Sequence, residues 1–252
     1  MIIAIWGRSG TGKSIIANEI GRHYARRGKL TVVADTDMTQ PTLPPRLPGT
    51  LDNKKASLGA IFAAPQVRDA QVYFHQHHEG SKLFYAGLTN DDHYLSYEIG
   101  MRQYSQAASF VSACQVIADV IILDCSGQRG DPFLAVALDA ADCFLLVHTP
   151  DIKNVCWYLG VKAHLSKKRS ERPGSILHIG NAVQKHHALA EYEKMAGIKL
   201  SAILPYSQSI NEVDGQGQFA SCSCDRQGKL WQRRFITDIE KLLESELNDH
   251  EK

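Results

Sequence analysis

One short segment, Gly7-Arg8-Ser9-Gly10-Thr11-Gly12-Lys13-Ser14, constrains the fold of this chain of 252 residues more than any other feature. It has the spacing G-x-x-x-x-G-K-S and lies between an apolar run at Ile2–Trp6 and a helical pattern. Glycines let the backbone wrap phosphate oxygens with N–H groups, and the helix that follows adds the positive end of its dipole. The segment therefore predicts a phosphate-binding loop between a strand and a helix.

The side chains of this loop predict specific roles at a nucleotide. Lys13 is expected to reach the β- and γ-phosphates as a catalytic residue, and the Ser14 hydroxyl is expected to ligate Mg²⁺. The residues expected to contact the nucleotide here are Ser9, Gly10, Thr11, Gly12, Lys13, Ser14 and Ile15.

Acidic residues end two further strand candidates. Residues 120–123 form an apolar run that ends in Asp124-Cys125-Ser126-Gly127, and residues 32–34 precede Asp35-Thr36-Asp37. An aspartate after such a strand can hold a Mg²⁺-bound water, and the N–H of Gly127 can sense a γ-phosphate. Alternate residues of a strand share a face, which predicts that Asp35 and Asp37 point together toward the metal and the attacking water.

Alternating β and α patterns define the fold class. Strand candidates lie at residues 2–6, 30–34, 83–86, 120–123, 143–147, 176–180 and 200–204, and helical patterns cover 15–24, 153–167, 184–196 and 229–247. Most of the runs are continuously apolar, which is typical of strands buried on both faces of a parallel sheet. The pattern predicts a doubly wound α/β fold with a mostly parallel sheet. Since no linker or repeat is visible, residues 1–252 are expected to form one domain.

Composition excludes several classes of protein. The 28 Lys+Arg and 27 Asp+Glu give a net charge of +1, which argues against nucleic-acid binding by bulk charge alone. Acidic residues interrupt the most apolar region before it reaches the length of a membrane span. The N-terminus lacks the basic start of a secretory signal, and the six cysteines fall mostly in apolar runs. A cytoplasmic location is therefore expected.

The motifs together resemble the ParA/MinD family of deviant P-loop ATPases. Besides the loop, Asp35-Thr36-Asp37 is similar to the D-x-D switch of that family, and Asp124-Cys125-Ser126-Gly127 to its D-[ST]-P-x-G segment. The stretch from Ala141 to Pro150 resembles the strand and loop that follow. The likeness runs through most of the chain.

This resemblance implies ATP and Mg²⁺ as ligands and a face-to-face homodimer that encloses nucleotide. It implies that Asp37 orients the hydrolytic water and that Asp35 and Asp124 support Mg²⁺ through waters. Asn181 and Pro205 stand at the positions of the family's adenine-binding segments. Family members are switches that position or assemble cargo and turn over slowly until an activator or cargo protein stimulates them, so such a partner is expected.

Three departures from the family pattern affect these expectations. Arg8 replaces the signature lysine that contacts phosphate in the opposite subunit, and it is expected to act there as a catalytic clamp or else to be an exposed loop residue. Ser9 and Ile15 replace the usual glycine and threonine, and Ile15 removes a hydroxyl at the α-phosphate. Cys125-Ser126 departs from the usual proline-containing switch.

Two surfaces carry expectations about other partners. A basic cluster follows the pattern at 153–167 and is a candidate for non-specific DNA contact, although such clusters also form solvated helix ends. Its residues are Lys162, Lys167, Lys168, Arg169 and Arg172. The C-terminal pattern places Trp231, Phe235 and Ile239 on one stripe but ends in acidic residues, so core packing is expected and membrane contact is not.

Two alternative activities share this fold. Asp35-Thr36-Asp37 with Pro41-Thr42-Leu43 loosely resembles an element of bacterial tyrosine kinases, but the tail lacks their tyrosine cluster. Cys222 and Cys224 would supply two of four ligands in a metallochaperone-type ATPase. A GTPase is disfavoured, since the chain has no N-K-x-D motif.

Overall fold

The computed structural model describes residues 1–48, 56–63, 67, 69–92, 100–127, 130–171, 175–219, 226–243 and 245. Within these ranges eight strands form one sheet in the order β3-β4-β2-β5-β1-β6-β7-β8. The strands are β1 (Ile2–Trp6), β2 (Thr31–Asp35), β3 (His75–Gln76), β4 (Leu83–Gly87), β5 (Val120–Asp124), β6 (Cys143–His148), β7 (Ser175–Val183) and β8 (Ala202–Pro205). The pairing is parallel throughout except between β3 and β4.

Helices connect the strands over both faces of the sheet. They are α1 (Lys13–Arg26), α2 (Leu43–Arg46), α3 (Gly59–Ala63), α4 (Met101–Ile117), α5 (Pro132–Ala140), α6 (Ile152–Glu171), α7 (Leu189–Ala196), α8 (Gln208–Gly215) and α9 (Arg226–Arg234). A 3₁₀ turn covers Ala70–Tyr73, and a π-helical segment, Phe235–Glu240, continues α9.

The side chains of each strand alternate between two cores. Ile2, Ala4 and Trp6 belong to the core under α4, α5 and α6. Ile3 and Ile5 belong to the core under α1 and the C-terminal segment. Because both faces of the central strands are covered, these strands are apolar except at their ends, where Thr31, Asp35, Asp124 and His148 lie. The predicted doubly wound α/β fold is confirmed.

Each predicted strand is present, although most elements begin or end one or more residues away from the predicted positions. The predicted helix at 184–196 begins only at Leu189, because β7 continues to Val183 across an irregularity that includes Ala182 at φ +53°. The strand pattern at β2 extends to Asp35, and the pattern at 229–247 divides into α9 and the π-helical segment.

Strands β1, β2 and β5 bring their carboxyl ends to one edge of the sheet. Ile5 of β1 lies opposite Asp124, and Asp35 of β2 lies opposite the same residue on its other side. The loop at residues 7–12 leaves β1 at this edge. The sheet therefore places the phosphate-binding loop and two acidic strand ends together.

Candidate functional site

The predicted phosphate loop is a closed turn between β1 and α1. Gly10 and Gly12 have φ of +81° and +85°, a region that other residues rarely adopt. The Thr11 hydroxyl and the Lys13 ammonium both donate to the Arg8 carbonyl, at 2.9 and 3.4 Å. Lys13 is 7% exposed, so its charge is held inside the loop where a bound anion would neutralise it.

Two buried carboxylates face this loop. Asp35 and Asp124 are 2% and 3% exposed. Burial, together with the neighbouring Asp35, raises the pKa of Asp124 to about 7, although Lys13 acts in the opposite direction. Burial also raises the pKa of Asp35, whose oxygens accept from the backbone N–H and hydroxyl of Thr42 at 2.9 and 2.7 Å.

The donor set at Asp124 fits a hard divalent cation. The Ser14 hydroxyl hydrogen-bonds the Asp124 carboxylate. The Oδ1 atom of Asp124 is buried and has no partner among the described residues. Hydroxyl and carboxylate oxygens are the ligands that Mg²⁺ prefers. Of the predicted metal residues, Ser14 and Asp124 are adjacent, whereas Asp35 is already bonded to the loop that follows β2.

Asp37 organises the loop after β2. Its Oδ1 accepts from the Thr39 backbone N–H at 3.0 Å and from the Ser126 hydroxyl at 3.3 Å. The expectation that Asp35 and Asp37 share a strand face is wrong, because β2 ends at Asp35. The two residues are nevertheless adjacent, since the Asp37 N–H donates to the Asp35 carboxylate at 3.2 Å.

Gly127 packs directly on the backbone of the phosphate loop. A Cβ at this position would lie 2.9 Å from the Ser9 nitrogen and 3.1 Å from the Gly7 oxygen. Only a glycine permits this approach without a shift of the backbone. A movement of residues 125–127 would therefore change the packing of the phosphate loop.

Arg8 is bound within its own chain. Its Nη2 lies 3.0 Å from Oδ2 of Asp151 and 3.4 Å from the Thr149 hydroxyl. These partners lie beyond the end of β6, next to the loop in space but 141 and 143 residues away in sequence. Arg8 Nε is buried with no partner among the described residues.

Asn181 joins the loop to the C-terminal helix. Its amide Nδ2 donates to the Thr11 carbonyl at 2.8 Å, and its Oδ1 accepts from the Trp231 indole at 3.2 Å. This leaves one donor and one acceptor position of the amide for a ligand. Trp231 was predicted only as a core residue, and no local pattern indicates that it orients Asn181. Pro205, the other predicted base contact, ends β8 opposite Val183.

Asp131 is another residue that the sequence did not single out. It caps α5 by accepting from the Phe133 N–H at 2.9 Å, and it also accepts from the Ser126 backbone. Burial raises the pKa of Asp131 to about 7. A third buried carboxyl thus holds the segment that carries Gly127.

Comparison with known proteins identifies the fold. No family model matches the chain. It is 23% identical over 212 residues to an uncharacterized ATP-binding protein of Methanocaldococcus jannaschii, which covers 84% of this chain and 76% of that protein. The septum site-determining protein MinD of Pyrococcus horikoshii, complexed with Mg-ADP, superposes with a TM-score of 0.74 at 18% identity, covering 97% of this chain and 98% of that one. A ParA family ATPase of Chlorobium tepidum gives 0.71 at 16% identity, covering 93% and 95%.

The chain has the MinD/ParA fold. The resemblance predicted from the motifs is confirmed for the fold, over most of the length of each chain. The other predicted loop residues lie together. Ile15 is in the first turn of α1, and its side chain packs into the core.

The predicted partner surfaces are only partly described. Lys162 donates to the carbonyls of Ala196 and Gly197 at 3.3 and 3.1 Å, so it stabilises the end of α7. The side chains of Lys168 and Arg169, and all of Arg172, Cys222 and Cys224, lie outside the described residues. Trp231, Phe235 and Ile239 are buried, as predicted for core packing. In the part of the chain described, no helix has the length and apolar character to cross a membrane.

A histidine pair, with His148 buried and His178 half-buried, lies at the end of β6 that leads to the Arg8 contact. His148 Nε2 lies 3.0 Å from His178 Nδ1, and His148 Nδ1 lies 2.8 Å from the Tyr192 hydroxyl. Burial lowers the pKa of His148 to about 3 and, with a contribution from Lys162, that of His178 to about 4. The neutral pair therefore supports the end of β6 that leads to Thr149.

We predict that Gly127→Ala destabilises the protein by about 1–3 kcal/mol, because the added Cβ forces apart two packed backbones. Urea unfolding measures this change. Gly130→Ala is the matched control, since no atom lies within 4 Å of a Cβ built there. Equal free energies of unfolding for the two variants would contradict the close packing of Gly127 on the loop.

We predict that the histidine pair contributes a loss of stability as the pH falls. Both folded-state pKa values lie below the ordinary 6.5, so the unfolded chain binds more protons below that pH, and stability present above it is lost as the pH falls. The pair alone should lower the free energy of unfolding by about 2–3 kcal/mol from about pH 7.5 to about pH 5.5. The Asp124 and Asp131 carboxyls, whose pKa values burial raises to about 7, act in the opposite direction, so the contribution of the pair is read from the difference between wild type and variant. His178→Gln should remove about half of this loss. An identical pH dependence in variant and wild type would contradict the assignment.

Proposed function

We propose that the chain is an ATP-dependent switch that dimerises with ATP bound and opens after hydrolysis. The observation that carries this proposal is the convergence of the phosphate loop, the Asp35–Asp124 pair and Gly127 at one edge of the sheet. Each group matches a part that nucleotide-hydrolysing P-loop proteins use. The fold neighbours named above, one of them complexed with Mg-ADP, support the same nucleotide chemistry.

In this proposal the loop holds the triphosphate by its backbone N–H groups, and Lys13 leaves the Arg8 carbonyl for the β- and γ-phosphates. Asn181 contacts the base with the donor and acceptor positions that Thr11 and Trp231 leave open. Mg²⁺ held by Ser14 and Asp124 would neutralise charge on the phosphate oxygens. A cation held there would favour the ionised form of the buried Asp124 carboxyl.

Hydrolysis needs a residue that orients water at the γ-phosphate. Asp37 is suited to this role, because its Oδ1 is fixed by Thr39 and by Ser126 of the Gly127 segment. One carboxylate therefore connects the loop after β2 with the segment that packs on the phosphate loop. Loss of the γ-phosphate would release both segments together.

In the proposed dimer, Arg8 contacts the nucleotide bound by the other subunit. As a clamp on nucleotide in the other subunit, Arg8 must first leave Asp151 and Thr149. The ion pair is partly exposed, with side chains 31% and 41% accessible, so its rupture costs only about 0.2–1 kcal/mol. The Nε of Arg8, for which the described part of the chain offers no partner, is a further donor that a phosphate could satisfy.

The cargo of such a switch follows from the fold neighbours only as a class. One neighbour is a septum site-determining protein and another is a ParA family ATPase. We propose that this chain likewise positions or assembles a cellular cargo and that an activator protein stimulates its turnover.

Size-exclusion chromatography with light scattering tests the switch. We expect a monomer without nucleotide and with ADP, and a dimer with a non-hydrolysable ATP analogue. Lys13→Ala should remain monomeric with the analogue, because the loop loses its phosphate-binding cation. A monomer under all conditions would overturn the dimerising switch.

The same measurement assigns Arg8. Arg8→Ala should weaken the analogue-bound dimer, whereas Asp151→Asn should strengthen it about two- to fivefold by releasing Arg8. Asparagine can still accept the Asn154 N–H that caps α6, so this variant keeps the helix start. If neither variant changes the dimer dissociation constant, Arg8 is a surface residue.

We predict that Asp37→Ala and Asp37→Asn both slow phosphate release at least tenfold and accumulate the ATP-bound dimer. Asparagine keeps an oxygen for the Thr39 and Ser126 bonds but loses the charge that orients water. Loss of turnover in Asp37→Ala alone would assign Asp37 to loop structure instead. Initial rates of phosphate release and the dimer fraction distinguish the two roles.

A further inference from the structure

An open groove of about 530 Å³ lies between β8 and the segment formed by α9 and Phe235–Glu240. In the described sheet β8 is the last strand, with β7 on one side and no strand on the other. The strand side of the groove is residues 200–203, and the helix side is Leu230, Arg233, Arg234, Thr237 and Asp238. An edge strand beside a groove is the arrangement to which an extended peptide can add as a further strand.

The helix side of this groove is strongly basic. α9 has four cationic side chains and no acidic one, and all four are exposed: Arg226, Lys229, Arg233 and Arg234. Within the described part of the chain none of them forms an ion pair. Because the whole chain carries a net charge of only +1, α9 is a local concentration of positive charge that an anionic partner would neutralise.

Apolar groups lie beside these charges. Leu230 is 38% exposed at the groove, whereas the next residue, Trp231, is buried in the core. The side chains of Leu200 and Ile203 on the strand side are half-buried. A ligand that fills the groove therefore has to offer an apolar group as well as negative charge.

Arg234 connects the basic helix to the backbone of the edge strand. Its Nη1 donates to the Ile203 carbonyl at 3.3 Å, in a contact that is exposed to solvent. A long, exposed hydrogen bond of this kind contributes little, so the N–H of an added strand could replace it. The guanidinium would then be free to bind a carboxylate.

We propose that this groove binds an extended peptide as an additional strand beside β8, with two acidic side chains on either side of an apolar one. Alternate residues of a strand share a face, so the spacing acid-x-apolar-x-acid directs all three side chains toward α9. The apolar side chain packs on Leu230, and the carboxylates pair with Arg233 and Arg234. The surface does not depend on the proposed ATPase function, so it is tested on nucleotide-free protein.

Nucleic acid is the other polyanion that a basic helix could bind, but the composition of the groove favours a peptide. Its aliphatic walls offer phosphate no hydrogen bond, and the Asp238 carboxylate repels it. A peptide can place an uncharged residue opposite Asp238, whereas each nucleotide of a strand carries a negative charge.

Fluorescence anisotropy with three labelled peptides tests the proposal. The acidic probe is Thr-Glu-Thr-Leu-Thr-Glu-Thr, in which the β-branched residues favour an extended backbone. The uncharged probe has Gln in place of both Glu residues. The third probe is the acidic peptide methylated at the backbone nitrogens of Leu and of the Thr that follows. Successive N–H groups of a strand point in opposite directions, so one of these two faces β8.

We expect saturable binding of the acidic peptide at low ionic strength, with a dissociation constant of about 100 μM or below. The uncharged peptide should bind about three- to tenfold more weakly, because it forms no ion pairs. The methylated peptide should bind about tenfold more weakly or worse, because it loses a backbone hydrogen bond and cannot approach the edge closely.

Three variants locate the site. Arg233→Gln and Arg234→Gln should each weaken binding of the acidic peptide about two- to fivefold and change binding of the uncharged one less. Leu230→Ser should weaken both peptides to a similar degree. Arg102→Gln is the matched control, since it removes the same charge from an exposed position of α4 outside the groove.

Several results would overturn the proposal. They are the absence of saturable binding of the acidic peptide, equal affinity for the uncharged peptide, undiminished affinity for the methylated one, and variants of Arg233 and Arg234 that bind as Arg102→Gln does. A thymidine heptanucleotide that binds more tightly than the acidic peptide and displaces it would assign the groove to nucleic acid instead. Since the peptide comparison uses the wild type, it decides the question even if a variant fails to fold.

Discussion

The parallel pairing of β5 with β1 on one side and β2 on the other is the constraint on which the site depends. It sets Asp124 beside Ile5 and Asp35. Ile5 is the residue before Trp6, with which β1 ends and after which the phosphate loop begins. A slip by one residue would turn every side chain of β5 to the opposite face. The two apolar cores oppose such a slip, because Ile121 and Leu123 belong to one core and Ile122 to the other. The register that packs both cores therefore also fixes the positions of Asp35 and Asp124.

This arrangement concentrates negative charge out of water. Asp35, Asp124 and Asp131 are buried, and burial raises the pKa of each. Lys13 compensates only in part. Natural folds rarely keep such a group of carboxyls unless a ligand or proton compensates them, and this is the physical reason to regard the edge of the sheet as a binding site.

The features of the fold that short sequence segments encode could be predicted. The continuously apolar strands and the spacing of the glycines and Lys13 are properties of short segments, so the sheet and the loop could be predicted from them. The helices α4 and α5 were not, because α5 is apolar nearly all round and the buried face of α4 includes Gln106 and the small Ala107 and Cys114. Neither helix shows a clear amphipathic period.

Contacts between distant segments could not be predicted in this way. Trp231 is 50 residues from Asn181, and Asp151 is 143 residues from Arg8. No spacing rule connects such positions, since the fold alone brings them together. The prediction that Asp35 and Asp37 share a strand face is wrong for a different reason. The strand β2 ends at Asp35, two residues before Asp37, and the sequence does not mark this end.

An arginine at residue 8 can make contacts that a lysine could not. A guanidinium can bind the Asp151 carboxylate and the Thr149 hydroxyl from one end while its Nε stays available, whereas an ammonium offers donors at a single point. Because the ion pair is partly exposed, breaking it costs little free energy. In the proposed switch, the resting position of Arg8 would therefore depend on Asp151 of the same chain rather than on the loop itself.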